Sequence, residues 1–344
     1  MSCLRQYGER FLVQVRAFLL SAILIVGLML NGGYGTPESP ELAEEREMVE
    51  VTYYTSDGSI CCQFEDDQEG NACDKPWTKK VERLRYYGAD GKPTMIEDGY
   101  FEKKTILERE VKEGKCGNYE EGEEDTYVMT TSYFDQAGKA CMPPELGFAS
   151  MRLERYPGRA MSSYSDVKGN PCISKVFLKV AKMEVIWDKE KPSSMQEDRY
   201  LGFVPSGKLE VLSFGVDGKP MLNQNGVARE FGQEQVTKDG KREIHFSYYG
   251  VNGEPKAFMH KYEKAIVRYG EDGNMSEIEA LSFDGLPKNV TFGPYAFYKV
   301  KAKGDVVHLI NVAGKIVKTF KADDFKEAWA EFLVDDSDRD YREE

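Results

Sequence analysis

The stretch YYGADGKP at Tyr86–Pro93 returns as SFGVDGKP at Ser213–Pro220 and as YYGVNGEP at Tyr248–Pro255. Few conformations admit this combination of ring residues, a short turn ending in Gly, a charged residue and Pro. Gly takes the left-handed backbone that tight hairpin loops demand, and the Asp or Asn before it is expected to share that conformation. Pro lacks an N–H, so it belongs at a sheet edge or the start of a strand. Neighbouring strand residues point to opposite faces, so a Tyr-Tyr pair puts one ring on each side of a sheet. Rings stacked from hairpin to hairpin predict a continuous aromatic core, worth roughly 1.5–3 kcal/mol per ring fully buried.

The turn glycines are Gly58, Gly91, Gly138, Gly169, Gly218, Gly253, Gly285 and Gly314, spaced by 33, 47, 31, 49, 35, 32 and 29 residues. The period is near 33, and the two long gaps read as insertions, around Gly117 and after Trp187. A second turn falls inside some units, as in VTKDGKRE (236–243) and RYGEDGNM (268–275). Between turns the chain alternates as a half-buried strand does. Ile244, Phe246 and Tyr248 oppose Glu243, His245 and Ser247, and Leu209 and Val211 oppose Glu210. ISKVFLKVAKMEVIW (173–187) is the longest strand candidate. With 20 Tyr, 18 Phe and 32 Gly against 3 Trp and 3 His, composition favours the same answer. The expected fold class is all-β: a tandem β-hairpin repeat array, open and solenoid-like or closed and propeller-like, with a short C-terminal helix.

The motif resembles exported bacterial proteins with tandem aromatic hairpin repeats. YYGADGKP and YYGVNGEP are similar to the YYF-x-x-x-G hairpins of choline- and glucan-binding cell-wall modules, and VRYGEDGNMSEIEALSFDG (267–285) to the Y-D-x-x-G-N pattern of YD (Rhs-type) repeats. The resemblance implies stacked hairpins over roughly residues 51–317. It implies no ligand residues: Trp77, Trp187 and Trp329 do not recur with the period, so the Gly-Trp pair of a choline cage is missing.

The termini differ from the array. Arg5, Arg10 and Arg16 precede the uncharged run AFLLSAILIVGLML (17–30), which acidic residues follow. Fourteen apolar residues match a signal-peptide core better than a membrane span of about 20. Residues 1–35 therefore read as a signal peptide or, extended through Tyr34, an uncleaved N-terminal membrane anchor. Either way the rest of the chain is expected outside: extracellular, on the cell surface or in the periplasm. Residues 36–50 read as an acidic linker, 51–320 as the hairpin domain, 321–335 as an amphipathic helix capped by Asp323, and 336–344 as a disordered tail. In an oxidising compartment, Cys61, Cys62, Cys73, Cys116, Cys141 and Cys172 are candidates for up to three disulfides, with free buried thiols as the alternative.

A formal charge of −13 and a pI near 5.0 argue against nucleic acid as a partner and against attachment to anionic lipid, leaving the N-terminal segment as the one membrane contact. No hydrolase elbow, zinc helix, phosphate loop or dinucleotide fingerprint occurs, so no catalytic residue, cofactor or metal is expected. The expected function is a binding or scaffold module for an extracytoplasmic glycan or protein. Tyr87, Tyr249 and Tyr269 are the candidate ligand-facing rings, each with a core role as the alternative. The competing expectations are a glycan hydrolase with dispersed Asp and Glu and a purely structural spacer.

Overall fold

The structure, a computed structural model, describes residues 46–65, 77–109, 126–188, 196–198, 202–204 and 207–325, apart from positions 89, 97, 260 and 293. The predicted leader, both insertions and the predicted tail lie wholly or largely outside the described residues, as do Cys73, Cys116 and His260.

The chain is all-β. Its first strands are β1 (Arg46–Tyr54), β2 (Ile60–Glu65), β3 (Lys79–Tyr87), β4 (Glu102–Arg109), β5 (Tyr127–Phe134), β6 (Ser150–Tyr156), β7 (Arg159–Ser165) and β8 (Lys182–Trp187). A ribbon of β9 (Gln196–Asp198) and β10 (Gly202–Val204) precedes β11 (Lys208–Phe214), β12 (Arg229–Val236), β13 (Arg242–Tyr249), β14 (Lys264–Tyr269) and β15 (Met275–Leu281). A second ribbon, β16 (Val290–Phe292) with β17 (Tyr295–Phe297), leads to β18 (Lys299–Lys303), β19 (Val306–Ile310) and β20 (Ile316–Lys321). Apart from the ribbons, the strands form one antiparallel sheet of sixteen, in the order β2-β1-β3 and then onward in chain order to β20. The sheet is open, which corrects the propeller-like alternative. The chain divides within β8 into two compact units, the first holding most residues up to Glu184 and the second most of those beyond. Strand β1 begins at Arg46, inside the stretch expected to be linker.

The turns explain the sheet. At the motif turn after β13, Gly253 N–H donates to the Gly250 carbonyl (3.1 Å) and Gly250 N–H to the Glu254 carbonyl (2.8 Å). The same pair of bonds closes the turns at Gly91, Gly138, Gly169, Gly285 and Gly314. In each, Gly alone among the described residues holds positive φ, the signature of a turn ended by a bulge. The preceding Asp or Asn keeps an ordinary conformation, contrary to expectation, and acts through its side chain. Asp90 Oδ1 accepts the Lys92 N–H at 3.0 Å; at the turn's first position, Asp135 Oδ1 accepts from both Ala137 and Lys139 at 2.9 Å. Pro then pairs the returning chain ahead of the next strand: Pro93, Pro171, Pro220, Pro255 and Pro287 each make an isolated bridge to the residue before the turn.

With the turns set, alternation decides burial. Met129, Thr131 and Tyr133 of β5 are buried, and so are Ile244, Phe246 and Tyr248 of β13. In the first unit the inward rings form the predicted ladder. Tyr86, Tyr100, Tyr133, Phe148 and Tyr164 follow one another at centroid distances of 5.8, 4.9, 6.1 and 5.0 Å, mostly edge to face. Tyr100 and Phe148 come from connecting turns between hairpins, each closed across a glycine.

One such connection occupies the expected long strand at 173–187. Leu178 and Lys179 have φ of 66° and 52°, and Ser174 N–H reaches the Val180 carbonyl at 3.0 Å, so only Lys182–Trp187 is strand. Leu178 and Val180 are fully buried, and it is this tucked-in turn that imitates strand alternation. A helix opens at Ala322, directly after β20; Asp323 therefore sits in its first turn instead of capping it. Phe325 packs its ring 5.9 Å from Phe320, and Trp329 and Phe332 lie outside the described residues.

No disulfide joins two described cysteines, so none of the up-to-three expected bridges forms among Cys61, Cys62, Cys141 and Cys172; the other two candidates, Cys73 and Cys116, lie outside the described residues. Cys141 and Cys172 are free thiols. Each Sγ points at the carbonyl of a connecting-turn glycine, Gly99 (3.8 Å) and Gly147 (3.6 Å), and burial pushes both thiols above their ordinary pKa. Cys61 and Cys62 are half-buried on β2.

Two glycines separate backbone strain from crowding. Gly253 (φ 79°) has open space where a Cβ would stand; at Gly147 (φ 72°) a Cβ would lie 2.6 Å from Lys175 Cγ and 3.1 Å from its backbone N. Gly253→Ala should cost about 1–2 kcal/mol, the price of left-handed backbone alone. Gly147→Ala should cost roughly 1–3 kcal/mol more. Urea unfolding midpoints measure both, and equal losses would mean that the close approach at Gly147 does not matter.

Candidate functional site

The face opposite the ring ladder carries a groove over β1, β3 and β4, entirely within the first unit. Its volume is about 600 Å³. Tyr54 and Thr55 from the end of β1 form one wall, Lys79, Val81 and Arg83 of β3 the floor, and Lys104, Ile106 and Glu108 of β4 the other wall. Register builds this set: Lys79, Val81 and Arg83 stand directly opposite Glu108, Ile106 and Lys104. Thr78 and Arg109 close the turn end, where Arg109 lies 3.7 Å above the Trp77 ring and donates Nε–H to the Trp77 carbonyl at 3.0 Å.

The groove's charges are unbalanced. Lys79 takes Glu108 at 3.2 Å. Glu50, across from Arg83 on β1, instead contacts Arg85 at 3.4 Å, and Arg85 also holds Glu102 at 2.7 Å. One arginine thus engages both nearby acids. Arg83 and Lys104 face each other with no carboxylate partner among the described residues, and like charges directly opposed on a sheet are destabilising. The second unit manages its outward charges differently. Arg268 binds Glu243, Glu277 and Glu279 at 2.7, 2.6 and 2.6 Å, and Lys299 shares the last two at 3.0 and 2.7 Å.

The three predicted rings stand in different surroundings. Tyr87 is half-buried at the end of β3, edge-on to Phe101 at 5.7 Å. Tyr249 is half-buried, with the Arg229 guanidinium 5.2 Å from its ring. Tyr269 is 3% exposed beneath Arg242 at 4.3 Å, so burial removes it as a ligand-facing ring. Tyr249 and Tyr269 also end neighbouring antiparallel strands and so lie at opposite ends of that pair. The two described histidines serve neighbours: His245 pairs with Glu243 at 2.9 Å and His308 with Thr319 at 2.9 Å. Among the described residues no group of three or more His, Cys, Asp or Glu could hold a metal ion.

A polar cluster in the second unit was not anticipated. Near a motif turn whose counterparts carry inward rings, Ser213, Asn223 and Asn225 are buried beside Glu230, which is 5% exposed and whose Oε1 accepts from Asn223 Nδ2 at 3.4 Å. Burial pushes the Glu230 carboxyl up to about 8, and the Tyr248 and Tyr262 hydroxyls are also raised by burial. The signal was present in the sequence, since SFGVDGKPMLNQNG puts Ser and Asn where YYGADGKPTMIEDG has Tyr and Ile. No family model, curated protein or solved structure matches this chain.

The pH consequences have opposite signs. Asp57 and Asp239, held at about 2 by hydrogen bonds from turn hydroxyls and neighbouring groups, contribute stability that is lost as pH falls from about 4 through 2. Glu230 stays protonated in the folded state after the unfolded chain has ionised, so stability falls as pH rises from about 4.5 through 8. In thermal melts at pH 5 and pH 8, Glu230→Gln should flatten that fall, by on the order of 1–5 kcal/mol. An unchanged slope would mean that Glu230 is ionised in the fold.

Proposed function

We propose that this chain is an exported binding module of the cell surface or periplasm, delivered or tethered by residues 1–35, which displays a recognition groove on a tandem hairpin scaffold. The observation that carries the reading is the uncompensated Arg83–Lys104 pair in the β1/β3/β4 groove, because a site that leaves two cations unpaired stores an attraction for an incoming group. The basic-then-apolar N-terminal pattern supports export. The recurrence of one turn, in motif and in hydrogen bonds, supports a repeat scaffold. The partner is a glycan or protein met outside the cytoplasm; nucleic acid is disfavoured by the charge of −13. A hydrolase has less support. Of the three buried carboxylates among the described residues, two are held by their own cations, Glu184 by Arg159 and Glu263 by Lys288, both at 2.6 Å, and the third, Glu230, by Asn223. Among the described residues no helix is long and apolar enough to cross a membrane, and residues 17–30 lie outside them.

The test is a display of cell-wall glycans, host glycans and surface proteins probed with the full chain. An Arg83→Gln/Lys104→Gln variant and a Tyr87→Ala/Tyr249→Ala variant run beside it, with folding followed by circular dichroism. The expected outcome is specific binding reduced at least about tenfold in the cation variant, the loss of roughly 1.4 kcal/mol that one charge-assisted contact supplies. Binding lost only in the tyrosine variant would move the site to those rings. Binding to nothing on display would favour a spacer.

A further inference from the structure

Resting on that reading, we infer that the groove takes an acidic sugar: a single hydrated ring bearing one carboxylate, seated with the carboxylate between Arg83 and Lys104. Three features select this chemistry together. The two cations stand on adjacent strands at directly opposed positions, and Arg presents a planar fork that matches a carboxylate while Lys adds a point charge. Beyond them the lining changes character. Val81 on the floor and Ile106 on the β4 wall give an apolar strip, Tyr54 offers a half-exposed ring, and Thr55, Ser56 and Thr78 bring hydroxyls to the turn end. That sequence of charge, apolar face and hydroxyls suits one side of a pyranose, whose C–H face packs on rings and whose hydroxyls need partners. The volume of about 600 Å³ lies in the range of small-ligand clefts, roughly 300–1,000 Å³.

Charge beyond the groove limits the ligand further. The chain carries −13 overall, so a long polyanion gains no net long-range attraction from the rest of the molecule, whereas one carboxylate needs only the local pair. The described acids bordering the site do not compete for it. Glu108 is held by Lys79, Glu50 by Arg85, and Asp57 by Thr55 and the Ser59 N–H and hydroxyl. A bare anion would use the cations and leave the rest of the lining idle.

The experiment is saturation-transfer NMR on the full chain with four probes: sodium glucuronate, glucose and triglutamate read directly, and inorganic phosphate, which has no C–H protons, read by its displacement of glucuronate. Glucuronate should bind with a Kd on the order of 1 mM or tighter, with glucose and phosphate at least about tenfold weaker. Arg83→Gln should abolish the transfer, Arg83→Lys should keep part of it, and added salt should weaken it. Because Arg83 faces Lys104 without an intervening acid, Arg83→Gln should leave the unfolding midpoint unchanged or raise it. A marked fall in the midpoint would make Arg83 structural and overturn the proposal. Glucose binding as well as glucuronate, or phosphate as well as glucuronate, would overturn it too, showing that the charge or the ring is not read. Arg83-dependent binding of triglutamate alone would replace the sugar with an acidic protein segment and leave the binding-module reading standing. Silence from all four probes overturns the sugar assignment, while the display experiment decides the broader reading.

Discussion

The structure depends on one backbone constraint: a glycine in left-handed conformation closing each motif turn. Its N–H reaches three residues back, and the bulge that follows fixes which residue of the incoming strand meets the Pro of the outgoing one. Side chains on a strand alternate with a period of two, so this one choice determines which ring of each pair faces inward. The ladder from Tyr86 to Tyr164 and the inward column of β13 are consequences of turn geometry, and hydrophobic burial then stabilises what the turns have aligned.

That dependence explains what could be read in advance. Turn glycines, strand phase and all-β class follow from local rules, and each was legible in motifs such as YYGVNGEP. Longer-range matters were not. The stretch at 173–187 alternates in hydrophobicity although half of it is a buried connection, because a turn folded inward hides every second residue as a strand does. Tyr269 resembles Tyr249 in its flanks, yet the two end strands that run in opposite directions, and only Tyr269 is fully covered. Cys141 and Cys172 follow the turn at the same offset, where the thiol faces a glycine carbonyl and no second sulfur.

The candidate site was invisible for a related reason. Arg83 and Lys104 become a pair only through the register of β3 with β4, and Glu50 is diverted only because Arg85 lies within its reach. Counting charges along the chain shows neither. The Glu230 cluster was more accessible, since polar residues at ring positions announce a buried exception in the sequence itself. Its presence means that one segment of the core depends on protonation while the flanking segments depend on rings. The two candidate regions differ in kind: the groove leaves charge uncompensated at the surface, and the cluster keeps a carboxyl neutral inside.

Each motif turn hands the chain on by two strand widths, about 10 Å. The turns after β13, β15 and β19 follow one another at that interval, and each sets an exposed apolar side chain at the same place: Val251, Phe283 and Val312. An open sheet of this kind works as a ruler. Duplication or loss of one hairpin would lengthen or shorten it by a whole graduation while leaving every other turn in phase. Reach is therefore a quantity such a chain can change in discrete steps, without redesigning its core.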